Sequence, residues 1–267
     1  MRAAAAQQVV HALPCGGHLA LRVVPAAPGA PAATPGVVFL HGLLSTATGA
    51  KALALEAHAL ARGHAYLGFD ARGHGASSGA FRDMHLGHWL DDARAALDAA
   101  PAARHVLVGS SFGGWQALLL AAERPRDVAG VVLVAPAADI TASFWEALGP
   151  EGQAAARRDG ETALGSSYLD GGAVTVGLEF FEAAKPFLVM HRLRELRVRC
   201  PLRILHGVRD DVVPVATSQR LFDELPVADA TLTLVKDGDH RLSRPHDLAL
   251  LLSTVEGLLA HAAGGSS

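Results

Sequence analysis

The chain has 267 residues, 50% of them hydrophobic and 18% charged, with 28 glycines and 14 prolines. That composition excludes a disordered or fibrous chain, and the length suits one large α/β domain with a sizeable core. A net charge of −3 leaves no basic field to hold nucleic acid or an anionic membrane.

Gln8 to Leu13 and His18 to Val24 flank the turn PCGG and read as an opening hairpin. A Pro/Ala/Gly loop, Pro25 to Gly36, follows. Short, nearly all-apolar runs then recur at Val37 to Leu40, Ala65 to Phe69, His105 to Val108, Val131 to Val134, Leu202 to Leu205 and Thr231 to Val235. Runs of that kind are expected of strands buried on both faces. Helical stretches lie between them, at about Ala50 to Arg62, Leu86 to Ala99, Phe112 to Glu123, Thr217 to Leu225 and His246 to Ala262. The alternation predicts a mostly parallel central sheet flanked by helices.

Asp139 to Arg199 breaks the rhythm and is too long for a βα loop. It reads as a small inserted helical cap on a single domain spanning 1–267. Its polar, Gly-rich pieces are GPEGQAAARRDG and LGSSYLDGGA. Leu178 to Leu193 is amphipathic, and Pro186, which lacks an N–H and disfavours helix at Lys185, predicts a broken helix there. The tail HAAGGSS is expected to fray.

Cys15 and Cys200 show no CxxC and no Cys/His cluster, so neither a disulfide scaffold nor a zinc site is implied. The N-terminus lacks a continuous apolar stretch before Gln7, and no run approaches the ~18 apolar residues of a membrane span. The expectation is a cytoplasmic protein with no membrane or nucleic-acid partner, no metal and no cofactor. Without a single Asn, no N-glycosylation acceptor exists.

The chemistry begins at Gly109-Ser110-Ser111-Phe112-Gly113, set between a strand and a helix. This G-x-S-x-G spacing defines a tight, strained elbow that presents Ser111 as nucleophile at the carboxyl edge of the sheet. Ser110 lacks the flanking spacing. An attacking alkoxide needs donors for the developing oxyanion. The Phe112 N–H follows from the elbow, and the loop VVFLHGLLS supplies a second candidate in the Leu43 N–H. His41, in that loop, reads as a brace.

A serine also needs a base held by an acid, and in this topology the order is Ser, acid, His. LRILHGVRDDVVP ends a strand at Asp210 and Asp211, and TLTLVKDGDHRLSRP places His240 before the closing helix. We take Asp210 as acid, with Asp211 as its rival or as a cap of the following helix, and His240 as base. His206 reads as structural, and Asp237 and Asp239 as turn residues. FDARGHGASSG lacks a phosphate-loop pattern and reads as a loop bracing the site; HLGHWLDD lacks repeated ligand spacing. Trp115 and Phe181 are candidate substrate-binding residues, against the alternative that both are core. Phe181 would line an acyl pocket from the cap.

Taken together, FLHGLLSTATGAKA, FDARGHGASSGAF, VGSSFGGW, LHGVRDDVVP and GDHRL resemble the α/β-hydrolase superfamily across residues 35–262. VGSSFGGWQALLLAAERP, VLVAPAAD and LHGVRDDVVP further resemble the small group containing the mitochondrial palmitoyl-protein thioesterase, which also hydrolyses acyl glucuronides. The resemblance implies an α/β-hydrolase fold with Ser111, Asp210 and His240 as triad, the same three residues chosen above. The expected function is hydrolysis of small acyl esters or thioesters. Cofactor-free perhydrolase or haloperoxidase chemistry on the same triad, and a non-catalytic binding module, are the alternatives.

Overall fold

The computed structural model describes residues 6–30, 34–165 and 172–264. Eight strands form one sheet: β1 (Gln7–Ala12), β2 (His18–Val24), β3 (Gly36–Leu40), β4 (Tyr66–Asp70), β5 (His105–Ser110), β6 (Val128–Val134), β9 (Leu202–Gly207) and β10 (Ala230–Val235). Their order is β1-β2-β4-β3-β5-β6-β9-β10. The pairs β1·β2 and β2·β4 are antiparallel, and every later pair in the sheet is parallel.

The apolar runs sort by the two-residue period of a strand. Val38, Leu107, Val131 and Leu133 face one core, with Leu90 and Trp115 from α2 (Leu86–Asp98) and α3 (Phe112–Glu123). Val37, Phe39, Val106 and Val132 face the other, with Leu55 from α1 (Ala50–Arg62) and Val255 from α8 (Pro245–Gly264). Eliminating a side chain's apolar contact with water contributes about 1.5–3 kcal/mol for each such residue. That gain is why runs buried on both faces hold the sheet centre.

Two expectations change at the C-terminal end. β10 is an edge strand, not one buried on both faces, and Leu234 is 46% exposed. The strand pairs with β9 alone, which leaves its other side open and none of its residues fully buried. α8 is long and apolar enough by composition to cross a membrane. It nevertheless buries Asp247, which accepts from Arg244 Nε at 2.8 Å, and it lays Leu251, Val255 and Leu258 on the sheet. It continues through Gly264, past the expected start of the frayed tail, of which 265–267 lie outside the described residues.

The insertion is mixed, not purely helical. α4 (Ile140–Ala147) and α5 (Gly149–Asp159) precede the antiparallel pair β7 (Glu161–Gly165) and β8 (Ala173–Gly177). α5 occupies the piece read as polar and Gly-rich: Pro150 in its first turn and left-handed Gly160 after its end punctuate a helix. Of LGSSYLDGGA, residues 166–171 lie outside the described residues, as do 31–33 of the Pro/Ala/Gly loop. The break at Pro186 is present. α6 (Glu179–Glu182) stops early, a 3₁₀ turn spans Lys185–Phe187, and Leu188 is extended.

Candidate active site

The elbow is built from glycines. Ser111 adopts φ 53°, ψ −119°, a left-handed strain the surrounding contacts must hold. A Cβ on Gly109 would lie 2.3 Å from the Gly113 carbonyl oxygen, and one on Gly113 would lie 2.2 Å from that of Leu40. No other residue fits either position. Strand and helix therefore close to contact, and Ser111 projects from the turn between β5 and α3.

Two loops bring the partners. His240 Nδ1 donates to Asp210 Oδ2 at 2.7 Å, which leaves Nε2 to accept from the Ser111 hydroxyl at 2.9 Å. Asp210 Oδ1 accepts from the N–H groups of Val212 (2.9 Å) and Val213 (2.8 Å). His206 Nε2 lies 3.1 Å from Asp210 Oδ2 and 3.0 Å from the Val213 carbonyl, so it carries a proton, and Nδ1 accepts from Ser218 Oγ at 2.6 Å. The Asp210 side chain is wholly buried. Burial alone would raise its carboxyl; the hydrogen bonds from His206 and His240 overcome that and hold it far below the usual carboxylate range. Asp210 is thus an anion aimed at His240 Nδ1.

The loop after β3 is clamped by two histidines. His41 Nδ1 donates to the Gly42 carbonyl at 2.7 Å, and Nε2 accepts from the Ala71 N–H at 3.0 Å. Because a trans peptide is planar, turning the Gly42 carbonyl toward His41 turns the Leu43 N–H away from it. His74 Nε2 accepts from the Leu44 N–H at 3.1 Å. Burial lowers both histidines, His74 to about 4, so both act as neutral braces. Asp70 ties the same two loops, accepting from Ala47 N–H at 2.7 Å and Ala76 N–H at 2.9 Å. FDARGHGASSG is therefore a bracing loop. No described residue accepts from the Leu43 or Phe112 N–H, and both residues line the cleft at Ser111.

That cleft, of about 60 Å³, is walled by Phe81, Ile140, Phe144, Leu164, Val174 and Val212. Sequence reasoning missed all six. Ile140 and Phe144 carry a local signal, an apolar i, i+4 pair on α4; the rest come from separate segments.

Both substrate-binding candidates need correction. Trp115 is fully buried, its ring edge-on to Phe112 and its Nε1 donating to the Phe187 carbonyl at 3.2 Å. It staples the insertion to α3. Phe181 is 4% exposed, packed between Phe180 and Trp145 (centroids 5.2 and 5.0 Å), and is absent from the cleft wall. A short α6 turns both rings of Phe180-Phe181 into the core. Asp211 is exposed, and the helix after it, α7 (Val215–Glu224), starts at Pro214 without a side-chain cap, so Asp211 does not cap it. Asp237 pairs with Arg244 at 2.7 Å and Asp239 accepts from the Leu242 N–H at 2.9 Å, as turn residues do. Among the described residues, no group of three or more His, Cys, Asp or Glu side chains is placed to hold a metal ion.

A mostly parallel sheet with a serine elbow, and with acid and histidine after later strands, defines an α/β-hydrolase. The family model described as Hydrolase_4 (serine aminopeptidase, S33) matches residues 31–164, and the chain belongs to that family. It is 35% identical to the mitochondrial palmitoyl-protein thioesterase ABHD10 of Mus musculus over 226 residues, 85% of this chain and 75% of that protein. The solved structure of mouse α/β-hydrolase domain-containing protein 10 superposes with a TM-score of 0.86 at 32% identity, covering 96% and 99% of the two chains. A solved structure from Agrobacterium vitis S4, described as a hydrolase, gives 0.87 at 34% identity over 97% and 100%.

Proposed function

We propose that the chain is a serine esterase or thioesterase that cleaves acyl groups from small substrates through an acyl-enzyme. The observation that carries this reading is the unbroken Asp210–His240–Ser111 relay at the mouth of an apolar cleft. His240 Nε2 takes the Ser111 proton as Oγ attacks the acyl carbonyl. The Leu43 and Phe112 N–H groups receive the oxyanion, and buried Asp210 stabilises the imidazolium. Collapse breaks the ester or thioester bond, and His240 returns the proton to the departing alcohol or thiol. Water, deprotonated by His240, then releases the acid and restores Ser111. The thioester arm is supported by the likeness to the palmitoyl-protein thioesterase.

The test is Ser111→Ala on p-nitrophenyl acetate and S-butyryl thioesters. Turnover should fall by about 10³-fold or more with the fold intact, leaving the residual rate of an oxyanion site alone. A dead Ser110→Ala beside an active Ser111→Ala would sink the assignment.

A further inference from the structure

A second cavity, of about 400 Å³, adjoins the cleft at the oxyanion loop. Leu44 lines both. Gly42, Ser110 and Arg241 line the second cavity, where their chain neighbours Leu43, Ser111 and His240 line the first. The two differ in chemistry. The cleft is apolar, while the cavity carries Lys51, the hydroxyls of Ser45, Ser110 and Ser243, and the first turn of α1.

Three features of its wall converge on an anion. The Lys51 ammonium bonds only neutral oxygens, the Arg241 carbonyl and Ser243 Oγ. Among the described residues it forms no ion pair. Asp239, whose Oδ1 accepts from the Leu242 N–H, and Asp247, held by Arg244, act on it through space without a direct contact. Burial lowers this ammonium to about 8, yet it remains largely charged at pH 7. Ser110 is 7% exposed, and its hydroxyl has no hydrogen-bond partner among the described residues. Gly49 begins α1 without a side-chain cap, so the first-turn N–H groups and the positive end of the helix face the same space.

We propose that this cavity is a leaving-group subsite for esters and thioesters whose alcohol or thiol bears a small oxyanion, with Lys51 as the residue that selects it. The proposal rests on the hydrolase reading above. Gly42 keeps the reach short, since even a Cβ there would lie 3.7 Å from Ser111 Oγ and 3.1 Å from Ser111 Cβ. A substrate spanning the elbow would then place its acyl chain in the apolar cleft and its anion against Lys51.

The experiment compares three S-butyryl thioesters, those of thioglycolate, 2-mercaptoethyl phosphate and 2-mercaptoethanol. Wild type should favour at least one anionic substrate over the neutral one by about tenfold in kcat/KM, the worth of one charge-assisted hydrogen bond. Preference for the carboxylate or for the phosphate identifies which anion the site takes. Lys51→Met should bring the ratio close to one and Lys51→Arg should retain most of it; Ser110→Ala, the milder change, should narrow it. Equal kcat/KM for all three in wild type overturns the proposal. So does a Lys51→Met or Ser110→Ala protein in which all three rates fall together, which would make Lys51 a clamp on the His240 loop. Failure to turn over even the neutral thioester would instead strike at the hydrolase reading.

Discussion

His105 opens β5 with both ring nitrogens buried and unpartnered among the described residues. Burial lowers it to about 4, as it does His74, against about 6.5 in an unfolded chain. Below pH 6.5 the unfolded chain takes up protons that these folded sites refuse. Their contribution to stability is therefore complete above that pH and is lost as pH falls toward 4, by roughly 3 kcal/mol per site. His105→Leu removes one such site and one unsatisfied polar ring. The melting temperature should rise by several degrees more at pH 5 than at pH 8; equal shifts at both would refute the burial argument. On the proposed triad Asp210 acts through His240, so Asp210→Asn should lower kcat on the order of 10⁴-fold, with exposed Asp211→Asn close to wild type. Parallel kinetics of the two variants decide between them.

Among the elements, α4 and α6 divide the work of the insertion. Phe144 of α4 walls the cleft, while Phe181 of α6 fills the core beneath it. Phe144→Ala should shift the preference among acetyl, butyryl and octanoyl esters. Phe181→Ala should instead cost about 3–5 kcal/mol of stability and leave that preference in place. Chain-length profiles beside thermal melts separate the two, and a changed profile in Phe181→Ala would return that residue to the pocket. The glycine elbow was legible because its need is local: strand and helix cannot close around Ser111 with side chains at 109 and 113. α5 was not, because its helix depends on end signals at Pro150 and Gly160 and on packing, not on a long apolar stripe.

At the scale of the whole molecule, residues 187–190 of the insertion are fastened from three directions. Asp139 accepts from the Val189 and Met190 N–H groups at 2.8 and 2.9 Å, Trp115 donates to Phe187, and Arg220 Nη2 donates to the Met190 carbonyl at 2.7 Å. All three hold the stretch after Pro186, where little regular structure exists to hold itself. Asp139→Ala removes the acceptor of two of these bonds and should make residues 185–192 the first site of limited proteolysis. Mass mapping that finds the first cuts elsewhere would refute this.

The succession of strands and helices, the elbow and the strand-end positions of Asp210 and His240 were readable in the sequence, whereas the order of the strands across the sheet was not. Each readable feature depends on short-range rules: two-residue periodicity, glycine sterics and the placement of polar residues after apolar runs. The roles of Trp115 and Phe181 were not readable, since an aromatic side chain looks the same in a pocket wall and in a core until its neighbours are known. Nor were the walls of the cleft. Phe81, Ile140, Leu164 and Val212 come from distant segments that meet only when the insertion packs over the sheet. Long-range packing, which no local pattern encodes, decides which side chains face Ser111 and which lie beneath them.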